Sequence, residues 1–264
     1  MELREFLFQP LEGRSFRLAI RAREGGILSG VPALAERAAE IGLEEISVLP
    51  EGSPLAAGTR VLAARGRAEK VARAEEMLLG TIGKTSGVAT AAAAMVARAG
   101  PVRVVCGAWK KVSPALGVEL RQAIVTGGAG IRISDQPFVY LDKNYVRMLG
   151  SVGRAVDRAK SFDPERLVVV QLRGEGQPIV AEAAAAVAGG AAIVMIDTGR
   201  LEDLRAVARA ADGDGWRSKA QLAFGGGVTP GNVAEVAAAG ADIADVGRAI
   251  IDAPLLDFSL DVEE

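Results

Sequence analysis

Two glycine-rich turns near the C-terminal end of the chain have the residue types of a phosphate-binding site. One is Phe-Gly-Gly-Gly-Val-Thr-Pro-Gly-Asn at positions 224–232, and the other follows a short apolar run one helix later. Glycine has no Cβ, so its backbone N–H group can approach an anion closely. One such turn often serves only to reverse the chain, but two at this spacing favour an α/β barrel that binds phosphate after its last two strands. The candidate phosphate-binding residues are Gly225, Gly226, Gly227, Gly247 and Arg248.

Basic residues follow two other segments of the chain. Lys110 and Lys111 come after the apolar run 102–106, where they can hold a carboxylate or a pyrophosphate as point charges, or form a solvated loop. Arg132 comes after the glycine-rich stretch 126–130, where it can clamp an anion through its guanidinium or lie on a flexible turn. Because barrel enzymes carry functional residues at the C-terminal ends of strands, we favour anion binding for the lysine pair and leave Arg132 open.

Polar residues also follow two later runs. Asp142 and Lys143 come after the apolar run 138–141, and Gln171 directly follows the apolar residues 168–170. The Asp142 carboxylate can hold a metal-bound pyrophosphate or can cap the helix that begins there. These three residues are therefore candidates for substrate binding.

Asp197 directly follows four apolar residues, 193–196. Its carboxylate can accept hydrogen bonds from ribose hydroxyls or can cap the helix predicted to begin near Leu201. The position after a buried strand favours the ribose role. For Asp242 and Asp245, which flank the last short strand, we favour a surface or helix-capping role.

The composition excludes several kinds of chemistry. The chain has no histidine, which rules out Ser-His-Asp and Cys-His catalysis and any histidine metal ligand. Cys106, the single cysteine, can form no intrachain disulfide and is expected to be buried. Lys+Arg is 31, Asp+Glu is 33 and aromatic residues make up 4%, which argues against nucleic-acid binding. We see no signal peptide or membrane-spanning run, and we expect a cytoplasmic protein that binds a small molecule.

The alternation of apolar runs predicts an α/β fold. We predict strands at 17–23, 45–49 and 58–65, a helix at 31–41, and two further helices at 68–79 and 88–99 joined by a loop at 80–87. From residue 102 onward, about six buried strands alternate with helices, one of them at 146–159. This second pattern predicts βαβ units and a parallel sheet.

A set of short motifs, taken in order, resembles the quinolinate phosphoribosyltransferase family (nicotinate-nucleotide pyrophosphorylase, carboxylating). The resemblance extends from about Phe16 to Val262, and only the ordered set is specific. The motifs are Glu24–Gly30, Ser86–Thr90, Lys110–Pro114, Ala123–Gly128, Ile196-Asp197, Gly225–Val228 and Ala253–Asp261.

The resemblance implies a fold and a reaction. The fold is an N-terminal α/β sandwich at 1–75, to which the tail 250–264 returns, and an open TIM-like α/β barrel of about six parallel strands at 76–249. The reaction transfers a phosphoribosyl group from phosphoribosyl pyrophosphate, with Mg²⁺, to a pyridine carboxylate or related nitrogen heterocycle in a homodimer. By resemblance the catalytic residues are Lys111 and Asp197, and the substrate-binding residues are Lys110, Arg132, Asp142, Lys143, Gln171 and Glu76.

The chain departs from the family pattern mainly where the acceptor's acid groups bind. Ile131 stands at the family's histidine, Gln171 at an acid, and Glu76 at an arginine that the family lends to the neighbouring subunit. Gly225 stands where the family's glycine run begins with serine. Because the phosphate and ribose half is kept, we expect a phosphoribosyltransferase whose acceptor carries fewer acid groups than quinolinate, such as nicotinate.

Two other functions fit the same residues. A lysine at a strand end, Lys110, Lys111 or Lys143, can form a Schiff base with a phosphorylated carbonyl compound. The chain can also be a nucleotide-binding protein without catalysis. Three measurements distinguish these functions: pyrophosphate release tests phosphoribosyl transfer, borohydride trapping tests Schiff-base chemistry, and calorimetry tests nucleotide binding without turnover.

Overall fold

The computed structural model describes residues 3–263. The strands are β1 (Ser15–Ala22), β2 (Gly26–Ile27), β3 (Glu44–Val48), β4 (Pro54–Leu55), β5 (Arg60–Arg67), β6 (Arg103–Val105), β7 (Phe138–Leu141), β8 (Leu167–Leu172), β9 (Ile193–Ile196), β10 (Gln221–Gly225), β11 (Ile243–Asp245) and β12 (Phe258–Glu263). The α-helices are α1 (Leu3–Phe8), α2 (Val31–Ile41), α3 (Ala68–Ala99), α4 (Gly117–Thr126), α5 (Lys143–Leu149), α6 (Val152–Phe162), α7 (Ile179–Ala188), α8 (Leu201–Gly213), α9 (Val233–Ala238) and α10 (Arg248–Ile251).

The chain forms two compact units. The first consists of residues 1–93, 109–128 and 250–264, and the second of residues 94–108 and 129–249. The first unit thus includes segments 76–93 and 109–128, which the sequence analysis assigned to the barrel. The domain limits given there stay a prediction.

The first unit is built on an antiparallel sheet with the strand order β12-β1-β5-β3. Its apolar face packs against α2 and α3 around a core that includes Leu18, Ile20, Leu34 and Leu62. Helix α2 ends at Gly42, whose φ of 79° lies in the left-handed region that favours glycine. The predicted helix 31–41 is therefore confirmed, and β12 shows that the C-terminal tail pairs with β1.

The predicted loop at 80–87 was wrong, because α3 continues without a break from Ala68 to Ala99. One of its glycines, Gly87, permits close packing. A Cβ added at Gly87 would lie 1.9 Å from the carbonyl oxygen of Pro254. Beside it, the Lys84 ammonium donates hydrogen bonds to the carbonyl oxygens of Ile251 and Ala253, at 2.8 and 2.6 Å. The glycine in α3 thus lets a distant segment of the chain approach the helix.

The second unit contains the predicted parallel sheet of six strands, in the order β6-β11-β10-β9-β8-β7. Residues from all six strands pack into one apolar cluster, among them Val105, Tyr140, Val169, Ile193 and Ile243. The two end strands are not paired with each other, so the barrel is open. The open TIM-like α/β barrel is confirmed.

The helix predicted at 146–159 is two helices, α5 and α6. Gly150 ends α5 with a φ of 88°, and the Ser151 side chain then caps α6 by accepting a hydrogen bond from the N–H of Arg154. The break opens a cavity described below.

Candidate active site

The barrel interior determines which polar side chains meet at the C-terminal ends of the strands. Successive residues of a strand point to opposite faces, and Val169, Met195, Ala223 and Ile243 all lie in the interior cluster. Two residues further along each strand, the inward positions are those of Gln171, Asp197, Gly225 and Asp245. The structure therefore brings predicted site residues from separate strands into one layer.

Asp197 is the centre of a hydrogen-bond network in this layer. The Gln171 side-chain amide donates to Asp197 Oδ2. The Arg173 guanidinium donates to Asp197 Oδ2 at 3.2 Å and to its carbonyl oxygen at 2.6 Å. The alternative role as a helix cap is not realised, because the residue before α8 is Arg200. One carboxylate oxygen is thus held by two donors.

The three glycines at the end of β10, Gly225 to Gly227, differ in their surroundings. A Cβ on Gly225 would lie 2.4 Å from the terminal methyl of Met195 and 3.3 Å from Asp197 Oδ1. Gly226 and Gly227 have φ values of 92° and 78°, which few other residues adopt readily. Among residues 3–263, no acceptor receives a hydrogen bond from the N–H groups of Gly226 and Gly227. Consecutive N–H groups of this kind form an anion-binding concavity.

The second glycine turn lies at the end of β11. Asp245 Oδ1 accepts a hydrogen bond from the N–H of Gly107 at 3.3 Å, and a Cβ on Gly247 would lie 3.8 Å from the Ala108 side chain. Arg248 begins α10, which has only four residues. The macrodipole of so short a helix therefore contributes little to anion binding at this turn, whereas a long helix would contribute more.

Asp142 and Lys143 are placed by their backbone. Asp142 caps α5 by accepting hydrogen bonds from the N–H groups of Asn144 and Tyr145, at 2.7 and 3.1 Å. This arrangement realises the capping alternative for Asp142. The N–H of Lys143 donates to Gln171 Oε1 at 2.9 Å, which connects α5 to the Asp197 network.

A cavity of about 510 Å³ adjoins this network, and Lys143, Gln171 and Arg173 contribute to its lining. Arg147 and Glu175 form a two-point ion pair on its wall, with N–O distances of 2.8 and 2.7 Å. The hydrogen bond from Arg147 lowers the pKa of Glu175. The cavity is large enough for a small aromatic acid, and its walls carry cations, amides and the carboxylates of Glu175 and Glu182.

The remaining predicted residues are Lys110, Lys111, Glu76 and Arg132. Lys110, Lys111 and Glu76 belong to the first unit, and the two lysines end a short 3₁₀ helix, Ala108–Lys111. Glu76 forms an exposed ion pair with Arg4 at 2.9 Å. In the second unit, the Arg132 guanidinium lies over the Phe138 ring, 5.8 Å from its centre. Their roles stay predictions.

Three residues of the site were missed by the sequence analysis. Asp245 was assigned to the surface or to a helix cap, which was wrong, because it follows the inward Ile243 by two residues. Tyr140 also faces the interior, and burial, followed by the charges of Asp245, Asp197 and Asp142, raises its pKa. Arg173 was not considered. Counting in steps of two from an interior residue was the signal that could have found Asp245.

Buried Cys106 agrees with the sequence analysis. Asp242 pairs with Arg217 at 2.8 Å and accepts a hydrogen bond from the N–H of Leu222, so it joins strand ends away from the site. None of the described helices combines the length and apolar character that crossing a bilayer requires.

The carboxylates do not form a protein cage for a metal ion. Within the described part of the chain, no group of three acidic or cysteine side chains lies close enough together to bind a metal. Mg²⁺ commonly takes one or two carboxylates and completes its shell with water and substrate phosphates. The residues present thus fit a magnesium ion only as a companion of a phosphorylated substrate.

Comparison with known proteins identifies the family. Residues 6–86 match the family described as "Quinolinate phosphoribosyl transferase, N-terminal domain", and residues 88–261 match its C-terminal domain. The chain belongs to the quinolinate phosphoribosyltransferase family.

Named relatives agree with this result. A probable nicotinate-nucleotide pyrophosphorylase (carboxylating) from Archaeoglobus fulgidus is 33% identical over 83% of this chain and 85% of its own length. The human nicotinate-nucleotide pyrophosphorylase (carboxylating) is 30% identical over 92% of this chain and 80% of its own length. The structure of nicotinate-nucleotide pyrophosphorylase from Francisella tularensis superposes with a TM-score of 0.82 and 23% identity, over 98% of this chain and 90% of the other, and shows the same fold.

Proposed function

We propose that the chain transfers a phosphoribosyl group from phosphoribosyl pyrophosphate to the ring nitrogen of a pyridine carboxylate. One observation carries the proposal: the inward carboxylate of Asp197 lies beside Gly225, and the N–H groups of Gly226 and Gly227 follow directly. A carboxylate for sugar hydroxyls next to an amide concavity for phosphate is the arrangement that a ribose 5-phosphate unit needs. Membership of the family supports the same reaction.

The reaction is a substitution at C1 of the ribose. The acceptor nitrogen forms a bond to C1 while the bond from C1 to the pyrophosphate oxygen breaks, and pyrophosphate leaves with that electron pair. Positive charge develops on the ribose as the bond breaks. The fixed carboxylate of Asp197 stabilises this charge without having to reorganise. A magnesium ion, where present, accompanies the pyrophosphate and balances its charge.

The cavity beside Asp197 supports an acceptor with a single acid group. Arg147 is paired with Glu175, and Arg173 is paired with Asp197. The Lys143 ammonium forms no ion pair with any of the residues that the structure describes. One uncommitted cation on the wall favours a monocarboxylate such as nicotinate over a dicarboxylate, since an unbalanced buried charge is costly.

The decisive assay incubates the purified protein with Mg²⁺, phosphoribosyl pyrophosphate and, separately, nicotinate, quinolinate or nicotinamide. Pyrophosphate release is measured together with the mass of the nucleotide formed. We expect a mononucleotide with nicotinate and a lower kcat/KM with quinolinate. No nucleotide with any acceptor would refute the proposal.

The same preparations test the two other functions, neither of which the comparisons favour. Borohydride trapping of a lysine adduct would indicate Schiff-base chemistry. Tight nucleotide binding without turnover would indicate a binding protein. The family resemblance also supports a homodimer, which light scattering of the full chain measures directly.

A further inference from the structure

Gly225 separates two carboxylates at the barrel mouth. Gly225 pairs with Asp245 on β11, and on its other side Phe224 pairs with Ile196, the residue before Asp197. Neighbouring strands are about 4.8 Å apart, so the backbones that carry the two acids are roughly 10 Å apart. The glycine between them contributes no side chain. The two acids thus border a gap in front of Gly225, into which the terminal methyl of Met195 reaches.

The gap lies beside the amide concavity. A Cβ placed on Gly225 would be 3.3 Å from Asp197 Oδ1 and 3.7 Å from Asp245 Cβ, so both acids flank the space above the glycine. The concavity at Gly226 and Gly227 begins at the next residue. A sugar phosphate bound there by its phosphate would place its ring between hydrogen-bond acceptors on both sides.

Tyr140 adds a donor to the same gap. Tyr140 pairs with the interior residue Val169 on β8, and its ring packs against the interior cluster near the charges of Asp245, Asp197 and Asp142. Burial and these charges raise the pKa of Tyr140, so the hydroxyl keeps its proton at neutral pH. Among residues 3–263 the hydroxyl donates no hydrogen bond. A neutral donor on the interior face of the barrel, near these carboxylates, matches a polyhydroxylated ring.

We propose that Asp245 binds the ribose of the substrate on the side opposite Asp197, with the Tyr140 hydroxyl donating to a ribose oxygen between them. The inference rests on the proposed function, because it takes the substrate to be a phosphoribosyl compound. It makes Asp245 a determinant of sugar recognition rather than of phosphate binding.

Calorimetry with two probes tests this assignment. Ribose 5-phosphate and inorganic phosphate are titrated separately into the wild-type protein and into Asp245→Asn. The asparagine keeps an oxygen that can accept the hydrogen bond from Gly107, and thermal melting verifies that the variant folds. The control is Asp242→Asn, at the opposite end of the same strand, where the carboxylate pairs with Arg217 outside the site.

We expect Asp245→Asn to weaken ribose 5-phosphate about tenfold to hundredfold, the range for a lost charged hydrogen bond, and to leave inorganic phosphate unchanged. Asp242→Asn should bind both probes like the wild type, and Tyr140→Phe should weaken only the sugar phosphate. Equal weakening of both probes, no effect of Asp245→Asn, or no binding of ribose 5-phosphate by the wild type would overturn the inference.

The outcomes separate the inference from the proposed function. If the wild type forms nucleotide but Asp245→Asn binds ribose 5-phosphate normally, the inference fails and the function stands. If ribose 5-phosphate binding depends on Asp245 but no acceptor is converted, the function fails and the inference stands.

Discussion

A pair of glycine substitutions tests the phosphate concavity with a matched control. Gly227 has a φ of 78°, Gly215 has a φ of 71°, and a Cβ at either position would meet no atom within 4 Å. Both lie in the second unit, but Gly215 follows α8, away from the strand ends that carry the site. The substitutions Gly227→Ala and Gly215→Ala therefore impose the same backbone change in two different places.

The expected loss of stability follows from the backbone alone. An alanine in the left-handed region costs roughly 1–2 kcal/mol relative to glycine. Alanine also lowers the conformational entropy of the unfolded chain, which stabilises the folded state by about 0.4–1 kcal/mol. Each variant should therefore lose about 1 kcal/mol in free energy of unfolding, and the two losses should be similar because neither added methyl meets a neighbouring atom.

The expected loss of phosphate binding differs between the two variants. At Gly227 the methyl projects beside an N–H group that has no acceptor in the described protein, where a phosphate oxygen would lie. A hydrogen bond to a charged group is worth about 1.5–3 kcal/mol, so affinity for phosphoribosyl pyrophosphate should fall about tenfold to hundredfold. Gly215→Ala should bind like the wild type.

Urea unfolding gives the first quantity, and calorimetry with phosphoribosyl pyrophosphate or inorganic phosphate gives the second. Equal binding by Gly227→Ala and Gly215→Ala, with both folded, would refute the reasoning that the turn after β10 holds the phosphate. A loss of several kcal/mol in Gly227→Ala alone would show that the space around this residue is not open.

Three further predictions follow from the contacts. Lys84→Met removes two hydrogen bonds to the C-terminal segment and should lower the free energy of unfolding by about 2–4 kcal/mol in urea titrations; a loss under about 1 kcal/mol would contradict this role. Gln171→Glu places a second carboxylate beside Asp197, and the repulsion between two like charges raises the pKa of the pair. The free energy of unfolding of the variant should therefore fall further below that of the wild type as the pH rises from about 5 to about 8. An equal loss at both pH values would contradict this prediction. Because the pKa of Glu175 is lowered, its ion pair with Arg147 stabilises the folded protein above the ordinary carboxyl pKa, and this contribution is lost on acidification. The pair is exposed and therefore screened by salt, so Glu175→Gln should have the same melting temperature as the wild type in high salt.

The main elements of the fold could be predicted because their signals are local. Buried strands alternating with helices require only neighbouring residues, and the parallel sheet of six strands agrees with that pattern. The break predicted at 80–87 failed for a non-local reason. Gly87 permits contact with Pro254, which is 167 residues away in the chain, whereas the sequence pattern around Gly87 resembles a loop.

The site was predictable only in part. Asp197 and Gly225 follow apolar runs directly, so their place at the end of a strand could be predicted from the sequence. Asp142 offered two roles: its Oδ1 accepts the capping hydrogen bonds of α5, and its role in substrate binding stays a prediction. Counting in steps of two groups Asp245 with Ile243 and Tyr140 with Phe138. Which of the two faces of each strand is the interior one depends on how the strands pair, and the sequence alone does not determine that pairing.

Gln171, which departs from the family pattern, and Arg173 both bear on a single residue, Asp197. Their donors hold Asp197 Oδ2, while Oδ1 faces the space above Gly225. A carboxylate that is free to rotate would lose about 0.5–1.5 kcal/mol of side-chain entropy on binding, and a held one loses less. The two donors therefore act on the substrate through Asp197: they replace the repulsion that a second acid would exert with a fixed orientation of the first. If Asp197 binds the ribose as proposed, these hydrogen bonds orient its carboxylate before the substrate arrives.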